Sequence, residues 1–345
     1  MKKNIIVLSD GTGQEGGKKY NTNVYKLFNL AKDRSHDQVV FYDRGLGTGW
    51  RKLGGNIAGA GISKNILECY QFIFENYCAG DEIFLFGFSR GATTVRSLSG
   101  FIHLFGILPR SRPELIKRAY KIYQIKNKEK RRDQAANFLS KNHNMWAKIK
   151  FLGVWDTVSA LGLPNRVLGS IVNRIPGLKH QFHDLTLSPC VENAYQALAL
   201  DEERKVFSPV LWEKSTAEKQ TMQQVWFSGV HTDVGGGYPT QRLSDIPLVW
   251  MLQKAKSVGF KIYAKHKVVI EQDADGLIHD SRAGAGRLYP KLARRWDSAR
   301  NGQPWVHQSV LDRKLNKNNT PQPPYSSWIL AQEYQIEEWN PQVPD

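Results

Sequence analysis

Long apolar runs are missing from this chain. None approaches the ~20 residues that a membrane-spanning helix requires, so no span is expected. The run IIVL near the start follows two lysines, but it is too short for a signal peptide and no small-residue cleavage site follows it. It reads as a buried strand. The cytoplasm is therefore the default compartment, with signal-independent export left open. Cysteine is scarce as well. Cys69, Cys78 and Cys190 make an odd number, with no Cys-x-x-Cys and no His-rich neighbourhood. A disulfide framework or a zinc site is not expected, and a reducing compartment is favoured.

Several cofactor signatures are also lacking. There is no P-loop and no His-Glu-x-x-His. The glycines of GLGTGW (45–50) and GGNIAGAG (54–61) do not form Gly-x-Gly-x-x-Gly between a strand and a helix. No metal, nucleotide or other cofactor is expected. The Asp-Gly-Thr at 10–12 lacks the second aspartate, two residues earlier, of an aspartyl phosphatase, because Leu8 is there. No aromatic platform interleaved with basic residues argues for nucleic acid. Acidic residues are few relative to basic ones, and the net charge is +16. That balance favours an anionic partner such as an acidic lipid surface or a phosphate-bearing substrate.

What is present is an alternation of strands and helices in a chain that is 41% apolar. NIIVLSDGT (4–12) reads as a strand entering a tight turn. NTNVYKLFNLAKD (21–33) has helical spacing, and QVVFYDRGLGTGW (38–50) reads as a strand and a glycine-rich loop. ISKNILECYQFIFENYC (62–78) is an amphipathic helix, EIFLFGF (82–88) an apolar strand and ATTVRSLSGFIHLFG (92–106) a helix. Further strands are expected at 149–156 and 224–233, and a helix at 243–259. The order predicts one α/β domain over 1–345, a mainly parallel sheet with helices on both faces. Two segments read as insertions with a cap-like placement. Residues 107–148 are helical and basic, and within 110–132 ten Lys and Arg oppose only Glu114 and Glu129, a pattern that a solvated helix face also explains. Residues 162–220 read as irregular.

The strand 82–88 runs into Gly87-Phe88-Ser89-Arg90-Gly91. By chance a Gly-x-Ser-x-Gly arises in a chain this long roughly one time in six, so context decides. A serine hydroxyl needs a base, a group that orients the base, and donors for the oxyanion. The strand-to-helix elbow supplies the setting, with small residues two before and two after the serine. The competing reading is a serine in an ordinary turn. Asp156 directly follows the apolar strand FLGVW and is the candidate acid; the alternative is a turn cap. His231, in VWFSGVHTDVGGGYP, lies between a strand and a glycine run and is the candidate base. His307 in PWVHQSVLD is its main rival, and His183 in QFHDLTLS a lesser one. The order Ser, Asp, His is that of α/β-hydrolases. The oxyanion donors are expected to be the backbone N–H of Arg90 and of Thr12 or Gly13, with Asp10 shaping the loop 9–17.

GFSRGA, GVWDTV and GVHTDVGGGY together carry a resemblance. The chain resembles the bacterial and fungal α/β-hydrolase domain long classed as of unknown function, which also forms the catalytic part of type VI secretion lipase effectors of the first family. FYDRGLGTGW (41–50), ALALDEERKVFSPVLW (197–212) and LSDIPLVWM (243–251) extend it through most of the chain. The family's opening motif reads Phe-Asp-Gly-Thr with Trp-Asn or similar after it; here Ser9-Asp10-Gly11-Thr12-Gly13-Gln14 stand there. The resemblance implies a serine hydrolase acting on carboxylic esters, often phospholipid acyl esters, with Ser89, Asp156 and His231 as its triad. Two alternatives remain open at this point: a non-catalytic basic module that binds membrane or nucleic acid, and an esterase for small soluble esters.

Overall fold

Alternate residues of each strand serve opposite faces of one sheet, as the two-residue period of a strand requires. In β1 (Asn4–Ser9), Ile6 and Leu8 join one core cluster, and Ile5 and Val7 join the other. In β3 (Glu82–Phe88), Phe84, Phe86 and Phe88 face the first cluster, while Ile83 and Leu85 face the second. Burial on both faces explains the continuous apolar runs in the sequence. The computed structural model describes residues 2–11, 16–17, 19–31, 35–45, 55–158, 186–213, 219–263, 265–314 and 325–344.

The remaining strands are β2 (Gln38–Asp43), β4 (Ile149–Trp155), β5 (Asn193–Ala199), β6 (Thr221–Phe227), β7 (Trp305–His307) and β8 (Gln335–Glu337). All eight form one sheet in the order β2-β1-β3-β4-β5-β6-β7-β8. Every pairing is parallel. The chain winds one way from β1 to β2 and the other way from β3 onward. The crevice beyond the carboxyl ends of β1 and β3 is thus the point where winding reverses, the usual place for a site in an open parallel sheet.

Helices α1 (Asn23–Ala31) and α2 (Gly55–Asn76) follow β1 and β2, and α3 (Arg90–Phe105) follows β3 directly. After β6 come a short α6 (His231–Gly235) and α7 (Arg242–Lys256). Asn23 ties them together: its side-chain amide donates to Val234 O and Ser244 O, both at 2.9 Å.

The segment 107–148 is helical, with α4 (Glu114–Tyr123) and α5 (Lys128–Leu139). Its position differs from a cap over the strand ends. Tyr123 donates to Ser97 O at 2.7 Å, and Phe138 packs edge-on against Phe105 with ring centroids 5.7 Å apart. The pair therefore lies on the later half of α3, near the amino ends of the strands and away from Ser89. The stretch 162–220 is also corrected: it contains β5, a buried strand paired with β4 and β6. NAYQALA hides its nature because alanine has little strand preference and Gln196 is polar. Inside, Gln196 is satisfied by Thr157, Val210 and Gln224. Residues 159–185 lie outside the described residues.

Candidate active site

Ser89 sits on the turn between β3 and α3 with φ 58° and ψ −120°. Such a conformation is strained for any residue with a Cβ. The flanking glycines make it possible. A Cβ on Gly87 would lie 2.6 Å from Gly91 O, and one on Gly91 would lie 2.0 Å from Ser9 O. The backbone is held by Ser89 N–H donating to Trp155 O at 3.1 Å. Among the described residues only one other non-glycine residue has a positive φ: Asp156, at 41°. Both strained residues stand at the carboxyl ends of adjacent strands, which points to a site rather than to two ordinary turns.

Asp156 is fully buried, and so, nearly, is His231. His231 Nδ1 lies 2.5 Å from Asp156 Oδ2. The imidazole rests between two aromatic rings, Phe88 at 4.6 Å and Phe207 at 4.8 Å between centroids. Phe88 is the residue before Ser89, so the ring that supports His231 is part of the elbow itself. Gly235 allows this packing: a Cβ there would lie 2.0 Å from the Phe88 ring. Gly229, at φ 106°, turns the chain into α6. Asp233 caps that helix by accepting from Val230 N–H at 3.0 Å. No hydrogen bond joins Ser89 Oγ to His231 among the described residues. Such a bond is often loose until substrate binds.

Arg294 completes the buried cluster, and nothing in the sequence pattern pointed to it. It lies in an irregular stretch where spacing carries no signal. Its Nη1 donates to Asp156 Oδ1 at 2.5 Å and its Nη2 to Oδ2 at 2.8 Å. The same two nitrogens donate to Ala199 O and Phe207 O, each at 2.7 Å. Ala199 N–H adds a bond to Asp156 Oδ1 at 3.1 Å. Burial alone would raise the Asp156 carboxyl. The Arg294 charge and its hydrogen bonds, then the His231 bond, outweigh burial and hold the group well below the usual carboxylate range. His231 is pushed below its ordinary value by burial, against the opposing pull of Asp156. Glu202, also unforeseen, accepts from His231 N–H at 3.3 Å and is itself gripped by Arg204.

The other expected residues fall as follows. His307, the rival base, stacks on Phe227 and accepts from Ser309 N–H at 3.3 Å as the cap of α8 (Gln308–Asp312). Burial lowers it to about 3. Asp10 accepts from Gly11 N–H at 2.7 Å, from Thr22 at 2.6 Å and from Tyr42 at 2.7 Å. Burial raises its carboxyl to about 7 despite these bonds. Arg90 N–H, first in α3, has no acceptor among the described residues. Thr12, Gly13 and His183 lie outside the described residues. Among the described residues no group of three or more His, Cys, Asp or Glu could hold a metal ion, and no helix is long and apolar enough to cross a membrane.

A strained serine at a strand-to-helix elbow thus stands near a buried Asp–His pair. The model of the type VI secretion phospholipase effector Tle1-like catalytic domain matches residues 3–254. The chain belongs to this family. Among relatives of this Tle1-like chain is the uncharacterized protein YEL023C of Saccharomyces cerevisiae, 27% identical over 212 residues, which are 54% of this chain and 31% of that protein. An uncharacterized protein from Pseudomonas aeruginosa shares the fold at a TM-score of 0.50 and 13% identity, covering 79% of this chain and 49% of that one. The Tle1 effector bound to the VgrG spike of the type VI secretion system aligns at a TM-score of 0.36 and 17% identity, over 69% of this chain and 51% of that one. The Tle1-like chain spans about a third of the yeast relative and about half of each solved chain. The fold is that of an α/β-hydrolase, a parallel eight-stranded sheet flanked by helices.

Proposed function

We propose that this Tle1-like chain is a serine hydrolase of carboxylic esters, with phospholipid acyl esters as substrates. The observation that carries the reading is the Asp156–His231 pair laid against Phe88, the residue that precedes the strained Ser89. His231 Nε2 takes the proton of Ser89 as Oγ attacks the ester carbonyl. Asp156 holds the imidazole by Nδ1 and balances its charge while it is protonated. Arg294 fixes Asp156 in place. Arg90 N–H receives the oxyanion of the tetrahedral intermediate. The imidazolium then protonates the leaving alcohol, and water releases the acyl group from Ser89 by the same steps in reverse order. The phospholipid part of the reading comes from the name of the family model.

The deciding experiment is intact mass after incubation with a fluorophosphonate, followed by peptide mapping. One adduct, on Ser89, is expected, and Ser89→Ala should lose both the adduct and ester turnover while remaining folded. Turnover retained in Ser89→Ala would exclude the mechanism. A folded wild-type protein that takes no adduct would favour a non-catalytic binding module. A panel of short esters and phospholipid micelles then separates an esterase from a phospholipase.

The basic helices α4 and α5 stand at the far end of the sheet from Ser89, so they do not form the wall of this site. A cation that does lie beside the serine is Arg90.

A further inference from the structure

Among the described residues, buried and half-buried arginines are compensated, with one exception. Arg96 donates to Val210 O and stacks on Trp212. Arg294 has Asp156 and two carbonyls. Arg313 donates to Ala274 O and Gly276 O. Arg204, half-buried, is held by both oxygens of Glu202. Arg90 is the exception. It is only partly exposed, and burial pulls its guanidinium down to about 10. No hydrogen bond or ion pair satisfies that guanidinium among the described residues. A cation withdrawn from water without a counter-ion is costly. An anion delivered by a ligand would remove the cost.

The position of Arg90 says which ligand. It is the residue after Ser89, and the Tyr289 phenol stands near enough to act on its charge. The Tyr289 ring packs edge-on against Phe207 at 6.4 Å, and Phe207 packs on His231. Arg90 and the imidazole are thus linked through Tyr289 and Phe207, and both adjoin the elbow at Ser89. Arg204 lies over Phe207 at 3.8 Å, but Glu202 already neutralises it. We propose that the Arg90 guanidinium binds the phosphate of the substrate and so selects esters that carry a phosphodiester a few bonds from the acyl carbonyl. A planar guanidinium presents two parallel donors that match two phosphate oxygens. In a glycerophospholipid only glycerol carbons separate phosphate from ester, a span that one arginine side chain can bridge. The assignment rests on reading the site as a phospholipid acyl hydrolase.

Two measurements test it, one with turnover and one without. The first is kcat/KM for monomeric dihexanoylphosphatidylcholine divided by kcat/KM for p-nitrophenyl butyrate. Loss of a charged hydrogen-bonded pair should lower this ratio by at least about tenfold in Arg90→Gln, with partial recovery in Arg90→Lys. An unchanged ratio in Arg90→Gln overturns the proposal, because both esters then depend equally on the side chain. The second uses Ser89→Ala protein, titrated calorimetrically with dihexanoylphosphatidylcholine, glycerophosphocholine and inorganic phosphate. Adding Arg90→Gln should raise Kd for both phosphodiesters by about tenfold or more. Equal binding with and without Arg90 overturns the proposal, and a loss confined to inorganic phosphate overturns the lipid assignment. If wild-type protein hydrolyses neither ester, the hydrolase reading falls, and the titration still decides whether Arg90 binds phosphate.

Discussion

Arg294 grips the carboxylate of Asp156 with two parallel hydrogen bonds, at 2.5 and 2.8 Å, while His231 shares the same carboxylate at 2.5 Å. The carboxylate thus serves one standing cation, Arg294, and one group that becomes a cation only when it takes a proton, His231. Arg294 orients it and keeps it ionised, yet the same positive charge works against protonation of His231.

This relationship sets the pH dependence. The base must be neutral to act, so activity is complete above the His231 pKa and fades as pH falls through it. Burial, with Arg294, depresses that pKa, so the acid limb of kcat/KM should lie below the ordinary imidazole value of 6.5. Arg294→Met removes the nearby charge and should move the limb upward. It should also cost about 3–5 kcal/mol of stability, because it strips a buried carboxylate of its cation. Denaturant melts and pH–rate profiles check the two parts, and a limb that stays in place would show that Arg294 does not act on His231.

The strain at Ser89 makes a separate prediction about stability. Both Ser89→Ala and Ser89→Gly should be inactive, but glycine accepts φ 58° and ψ −120° without penalty. Ser89→Gly should therefore be more stable than Ser89→Ala by about 1 kcal/mol. Equal melting midpoints would mean that the elbow stores no strain.

Gly235→Ala should disable the site without touching the triad chemically. The new methyl would lie 2.0 Å from the Phe88 ring, so α6 must lift and carry His231 with it. A stability loss of about 1–3 kcal/mol is expected, together with a fall in fluorophosphonate labelling of about 100-fold. Labelling at the wild-type rate would show that His231 does not depend on this packing.

Asp10 should make the protein less stable as pH rises across the acidic range. Its carboxyl is raised by burial from 3.8 to about 7, so the folded state holds a proton that the unfolded chain releases. Stability from this group is complete below about pH 4, falls between about pH 4 and 7, and is flat above, a change of up to about 4 kcal/mol. Asp10→Asn can still accept the Gly11 N–H bond and should flatten that slope. Urea melts across this range read it directly, and an identical slope in both proteins would remove Asp10 as its source.

His307 and His231 can be told apart with matched substitutions. His307→Asn keeps a good helix cap for Ser309 N–H and should retain labelling of Ser89. His231→Asn should lose it. The reverse result would exchange their roles.

Much of the fold was legible because long, doubly buried strands and amphipathic helices write strong periodic signals. β1, β3, β4, α2 and α3 are of that kind. The weak elements were missed for a common reason. β5 is built of alanines around a buried glutamine, and β7 and β8 are three residues each, too short for a period to show. Ser89, Asp156 and His231 stand out in the sequence as candidates because each follows a strand or a glycine-bounded turn. Arg294, Glu202 and Phe207 were not, because their roles depend on which segments meet in space.

By itself, then, the sequence determined the strand–helix alternation, the elbow around Ser89 and the order of the candidate triad. These are properties of residues near one another along the chain: backbone sterics, periodic burial and turn chemistry. Only the tertiary structure decided that Asp156 and His231 meet, that His307 caps a helix instead, and that Arg294 comes from far along the chain to hold Asp156. It also carried the basic helices away from the strand ends and, among the described residues, left the Arg90 guanidinium without a counter-ion. Pairing and desolvation are long-range events, and a charge acquires its partner and its cost only when the chain has closed around it.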